Sequence, residues 1–137
     1  LPGTPEMLEV LKSHYRLGLL SNFTHGPAVK DILSRLGLSP YLEVVLISGE
    51  LGYRKPHAQV FEALWQQFEV PKAQIAFVGD DLDADIQGAQ AAGMQPIWTT
   101  YARTLRTTPT LPAPTHEAEP AVPMIASWHD LFTLLAL

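Results

Sequence analysis

The chain has 137 residues, 47% apolar and 17% charged, with no cysteine and a formal charge of −5. That length suits one domain burying roughly two-thirds of its unfolded surface, and the composition excludes a disordered polymer. Disulfides, thiolate metal sites and a cysteine nucleophile are excluded outright, and the lack of a basic run argues against nucleic acid as a partner.

Helical and strand signals alternate along the chain. Thr4-Pro5-Glu6 reads as a helix start, with a capping hydroxyl, proline at the first helical position and an acid near the positive helix end. Met7, Leu8 and Leu11 supply its apolar stripe. Leu17 to Ser21 is a short apolar run and reads as a buried strand. Val29, Ile32, Leu33 and Leu36 recur at helical spacing before Gly37, a natural stop. Val44 to Ser48 predicts a second strand, and Val60, Phe61, Leu64, Trp65 and Phe68 a helix ending before Pro71. Ile75 to Val78 predicts the third strand, followed by a helix through Ile86 and Ala89 to Gly93, and Gln95 to Thr99 the fourth. From Thr100 to Pro120 prolines and threonines replace periodicity, so a long surface loop is expected over about 103–120. Ala121 to Ala126 suggests a short last strand, and Ser127 with Asp130 a capping box for the closing helix.

This alternation predicts an α/β fold, a Rossmann-like three-layer sandwich with a mostly parallel sheet, in one domain over 1–137. No apolar run reaches the roughly 20 residues of a membrane span and no basic-then-apolar signal opens the chain, so a cytoplasmic protein without membrane partners is expected.

In open α/β sheets ligands bind beyond the carboxyl ends of the strands. The residues there are Ser21-Asn22, the segment Ser48 to Pro56 with Lys55, and the acidic stretch holding Asp80, Asp81, Asp83 and Asp85. Each is weak alone. Ser21 could satisfy a strand-end backbone group, and Lys55 could be a surface lysine, although Pro56 keeps it out of helical geometry. A helix N-terminus favours acids and would explain Asp83 and Asp81. Asp80, directly at the strand end, is harder to explain without a cation, because desolvation would penalise an unpaired charge there. Magnesium takes oxygen ligands, often one or two carboxylates with water and substrate phosphate. Asp80 and Asp85 could both face such an ion. The histidines are scattered without ligand spacing; His25 lies near the site and His57 is placed to cap a helix. Trp98 and Tyr101 are candidates to line a pocket.

In order and spacing, LGLLSN, GYRKPHAQVF and VGDDLDADIQGAQAAGM together resemble the second, third and fourth motifs of the haloacid dehalogenase (HAD) superfamily of hydrolases. The resemblance covers nearly the whole chain. It implies that Ser21, with the backbone at Asn22, binds the transferring phosphoryl group and that Lys55 neutralises nucleophile and phosphate. It implies that Asp80 and Asp85 support Mg²⁺. Asp81 stands where relatives commonly carry serine, and a metal role for it stays open; Asp83 reads as a helix-cap charge. The GD-type carboxylate pair favours phosphoryl chemistry over dehalogenation, since lysine and Mg²⁺ would screen a phosphoryl group during in-line attack.

The family attacks with the first aspartate of a DxD motif on an N-terminal strand, beyond which a helical cap is inserted. The DxD spacings here, Asp81 to Asp83 and Asp83 to Asp85, both lie inside the fourth motif. The chain therefore resembles the C-terminal part of a HAD core, lacking the first motif and the cap. The absent strand would sit between those ending at Ser21 and Val78, so two open edges are expected. They predict association with the missing N-terminal segment or a second copy, or an abnormally closed sheet. The expected function is a Mg²⁺-dependent phosphatase for a small phosphate monoester in full-length form, with this chain alone inactive and binding magnesium weakly. The alternatives are a non-catalytic HAD-derived binding module and a 2-haloacid dehalogenase-like enzyme.

Overall fold

A computed structural model describes residues 1–104 and 121–137. Helix α1 runs Thr4–His14, strand β1 Gly18–Ser21, helix α2 Gly26–Arg35 and strand β2 Val44–Ile47. The turn α3 spans Ser48–Leu51 and α4 Ala58–Phe68, followed by β3 Ala76–Gly79 and a π-helical turn Leu82–Gln87. The chain continues through α5 Gly88–Ala91, β4 Gln95–Thr99, α6 Tyr101–Thr104, β5 Met124–Ile125 and α7 Trp128–Leu135. Residues 101–104 form a helical turn where a loop was expected from about 103, and the rest of that expected loop, 105–120, lies outside the described residues.

All strand pairings are parallel, as expected, but they form two separate sheets, β1–β2 and β3–β4–β5. Alternate residues of the strands face opposite helical layers. On one face Leu20, Val44 and Phe77 pack with Val60, Phe61, Leu64 and Phe68 of α4 and with Ala89. On the other, Leu19, Val45 and Ile47 meet Val29 and Leu33 of α2, while Ile97 and Ile125 meet α1 and α7 through Met7, Leu11 and Leu131. Helices thus cover both faces, which is the three-layer arrangement. Burying one such Leu, Ile or Phe side chain stabilises the fold by roughly 1.5–3 kcal/mol.

Among the described residues, the inner edges of β1 and β3 carry no strand partner, each strand being bonded on one side only. Exposure follows from this. Val78 is 39% exposed and Ala76 is exposed, although their strand neighbour Phe77 is buried.

Two helix starts differ in their fate. Thr4 does not cap α1: its Oγ1 donates to the Leu1 carbonyl at 2.7 Å, and the cap position belongs to Gly3, whose φ of 72° suits glycine. Ser127 caps α7 as expected, its Oγ accepting from Asp130 N–H at 3.2 Å, while Asp130 Oδ2 accepts from Ala126 N–H at 2.9 Å. The Ala126 N–H, then the Ser127 side chain, hold the Asp130 carboxyl below its ordinary range. A carboxyl lowered on folding adds stability that is complete above its unfolded value, about 3.9, and is lost as pH falls through the folded value. Asp130→Asn should therefore flatten the acid limb of the stability–pH curve below about pH 4. Urea melts across pH 2–6 would show an unchanged limb if the carboxylate were idle.

Candidate active site

Every strand of the first three delivers its last residues to the same end of the molecule. Beyond β1, the backbone of Phe23 is clamped by Ser48: Ser48 Oγ accepts from Phe23 N–H at 3.0 Å and donates to Phe23 O at 3.1 Å. Gly49 N–H adds a bond to Phe23 O at 3.0 Å, and a Cβ at Gly49 would lie 2.2 Å from Thr24 O. The loop after Ser21 is thereby pressed against the start of α3, and the Phe23 ring stays exposed.

Asn22 has a role the sequence did not reveal. Its side-chain Oδ1 accepts from Lys55 N–H at 2.8 Å, and its Nδ2 donates to Lys55 O at 3.0 Å. One amide side chain thus fixes both backbone groups of Lys55, whose peptide bond to Pro56 is cis. Beyond it, His57 caps α4 as anticipated, Nδ1 accepting from Gln59 N–H at 3.2 Å, and its ring stacks on Tyr53 at 4.3 Å.

From that anchored backbone the Lys55 side chain crosses between the two sheets. Nζ donates to Leu20 O of β1 at 3.1 Å and to Asp85 Oδ1 at 2.6 Å, and it lies 5.6 Å from the Phe77 ring centroid. The pair is nearly dry, the lysine and aspartate side chains being 11% and 7% exposed. Charges this buried persist only when their remaining hydrogen-bonding capacity is used. Asp85 meets that condition: Oδ2 accepts from Asp80 N–H at 3.0 Å and Asp81 N–H at 3.1 Å.

The four aspartates therefore divide by what they touch. Asp85 organises the turn and holds Lys55. Asp81 is the cap, its Oδ1 accepting from Asp83 N–H at 3.0 Å and Ala84 N–H at 2.8 Å, which is the position the sequence reading gave to Asp83. Asp83 is exposed in the first turn. Asp80 is exposed as well, so the desolvation argument does not apply to it. Its backbone is tied at both ends, by Asp85 and by Trp98 Nε1, which donates to Asp80 O at 3.3 Å. Its carboxylate makes no hydrogen bond or ion pair among the described residues. Ser21 is half-buried at the end of β1.

Trp98 is buried against Leu82 and Ile86, whereas Tyr101 packs edge-on against Trp128 at 5.3 Å. Among the described residues no three His, Asp or Glu side chains converge as a ready metal cluster. The donor chemistry is nevertheless suited to Mg²⁺ at Asp80, since that ion commonly uses one or two carboxylates and completes its shell with water and phosphate. Both Asp85 oxygens are engaged, Oδ1 by Lys55 and Oδ2 by two backbone N–H groups, whereas Asp81 has its Oδ1 engaged by two backbone N–H groups.

Parallel strands between two helical layers, with a buried cation and an exposed carboxylate at their carboxyl ends, define an α/β core of the kind that takes ligands at the strand ends. A family model described as haloacid dehalogenase-like hydrolase matches residues 1–93. The chain belongs to the haloacid dehalogenase-like hydrolases. It is 35% identical over 106 residues to glyceraldehyde 3-phosphate phosphatase from Pyrococcus abyssi, covering 75% of this chain and 43% of that protein. The HAD-hydrolase YfnB from Bacillus subtilis, solved bound to magnesium, shares the fold with a TM-score of 0.83 at 22% identity, over 100% of this chain and 56% of that one. A 2-haloacid dehalogenase from Pseudomonas syringae pv. Tomato is similar at 28% identity and a TM-score of 0.76, over 99% of this chain and 53% of that one. The chain thus spans less than half the length of its curated relative and about half that of the solved chains.

Proposed function

We propose that the chain forms the phosphate-binding and metal-binding side of a Mg²⁺-dependent phosphatase acting on small phosphate monoesters. The observation that carries this reading is the placement of Lys55 Nζ between Leu20 O of β1 and Asp85 Oδ1, with the other oxygen of Asp85 holding the backbone N–H of the exposed Asp80. Ser21 Oγ and the Asn22 N–H would hold the phosphoryl oxygens, and Lys55 would offset their charge from a position Asn22 and Asp85 keep fixed. Asp80 would hold the metal, and Asp85 would support it by shaping the Asp80-Asp81 backbone. Bound there, Mg²⁺ would supply further charge neutralisation for an in-line displacement.

An attacking carboxylate would have to arrive at the same end of the sheets. The open inner edges of β1 and β3 favour its arrival on a parallel strand seated between them, where both edges would gain their hydrogen bonds. The similarity to a 2-haloacid dehalogenase supports a second reading, halide displacement from a 2-haloacid. Asp80 favours the first, since an unpartnered carboxylate at the strand end has a use beside a metal and none in holding a halide.

The test measures hydrolysis of p-nitrophenyl phosphate with and without Mg²⁺, alone and with an apolar strand peptide ending in Asp-x-Asp. Turnover is expected only when metal and peptide are both present. Metal-dependent turnover by the chain alone would overturn the proposed origin of the nucleophile, and halide release from 2-chloropropionate would select the second reading.

A further inference from the structure

One cation at the sheet's carboxyl end has no part in the scheme above. Helix α6 places the Arg103 guanidinium over the face of Trp98, 5.6 Å from the ring centroid. The same indole donates its Nε1–H to Asp80 O. Trp98 is 8% exposed and packed on Leu82 and Ile86, so it is a fixed plate rather than a mobile ring. Arg103 stands one indole away from the residue at the proposed metal position.

The way Arg103 is held matters. Arg16 and Arg35 spend N–H donors on Glu43 and Asp31. Arg103 is exposed and, among the described residues, has no carboxylate within ion-pair distance. Contact with an aromatic face uses the guanidinium's π surface and leaves its in-plane N–H donors unspent. A planar fork held in this way matches the oxygens of a carboxylate or phosphate.

We propose that Arg103 is a specificity-determining residue that receives a second anionic group of the substrate, a carboxylate or a second phosphate. This rests on the phosphatase reading, with the first phosphate at Ser21, Asn22, Lys55 and Asp80. The preferred substrates are then small phosphate esters carrying two anionic groups rather than one.

The experiment titrates this chain, in Mg²⁺ at neutral pH, with glycerol 3-phosphate, 3-phosphoglycerate and ribulose 1,5-bisphosphate, followed by NMR. At least one of the doubly anionic probes should bind about tenfold more tightly than glycerol 3-phosphate, the effect of one charge-assisted pair. Whichever of the two is preferred identifies the second anion. Arg103→Ala should bring the ratio to about one, and Arg103→Lys should restore only part of it, because the ammonium lacks the planar fork. Equal binding of all three probes, or a ratio that survives Arg103→Ala, overturns the role of Arg103 and leaves the phosphate site standing. Binding of none of them overturns the phosphate site and this inference together.

Discussion

Gly79→Ala should cost about 3 kcal/mol of stability, far more than one added methyl group suggests. A Cβ at Gly79 would lie 2.3 Å from Asp85 Cβ and 2.4 Å from its Cγ and Oδ2. The aspartate cannot withdraw, since Oδ1 is held by Lys55 and Oδ2 by two backbone N–H groups. Gly79 cannot retreat either, because it is in register with Trp98 in the parallel ladder. Relief therefore requires breaking either the strand pairing or the contacts of a buried ion pair. Gly52→Ala is the control: nothing lies within 4 Å of its Cβ position, and only its φ of 79° resists substitution. About 1 kcal/mol is expected there. Urea melts of both variants decide the matter, and a Gly79→Ala loss no larger than that of Gly52→Ala would refute the close-contact argument.

The layered fold was legible because its signals are local. Runs such as Leu17 to Ser21 and Val44 to Ser48 alternate with stripes such as Val60, Phe61, Leu64 and Phe68; these runs gave strands and this stripe a buried helix face, while in the α2 stripe Val29 and Leu33 are buried and Ile32 and Leu36 stay exposed. Boundaries were less legible where a side chain had competing partners. Thr4 Oγ1 found the Leu1 carbonyl instead of a helical N–H, and Asp81 rather than Asp83 took the cap because the π-turn begins at Leu82. The sequence brought Ser21, Lys55 and the aspartates to one end of the sheet but could not say which oxygens would be occupied. That depends on contacts across 30 or more residues, such as Lys55 with Asp85 and Asn22 with Lys55. Gly79 was visible only as the residue before Asp80, and its need for an absent side chain emerges from the closeness of Asp85.

Lys55→Met and Asp85→Leu should each cost about 3–5 kcal/mol, because either leaves a buried charge without its partner. The losses should be unequal. Lys55→Met leaves the Asp85 carboxylate with two N–H donors, whereas Asp85→Leu strands the lysine near Leu20 O and orphans the N–H groups of Asp80 and Asp81. Asp85→Leu is therefore the worse variant. The double variant removes both charges and should recover roughly 2 kcal/mol of the summed single losses, a coupling within the usual range for contacting groups. Additive losses in urea melts would show that the pair is not coupled and would sink this account. The recovery also separates stability from function. A buried ion pair rarely outperforms apolar side chains of similar volume, so stability alone gives little reason to retain one here. If the double variant regains stability yet still fails to bind phosphate, the pair's place at the strand ends is explained by the charge that Lys55 holds ready there.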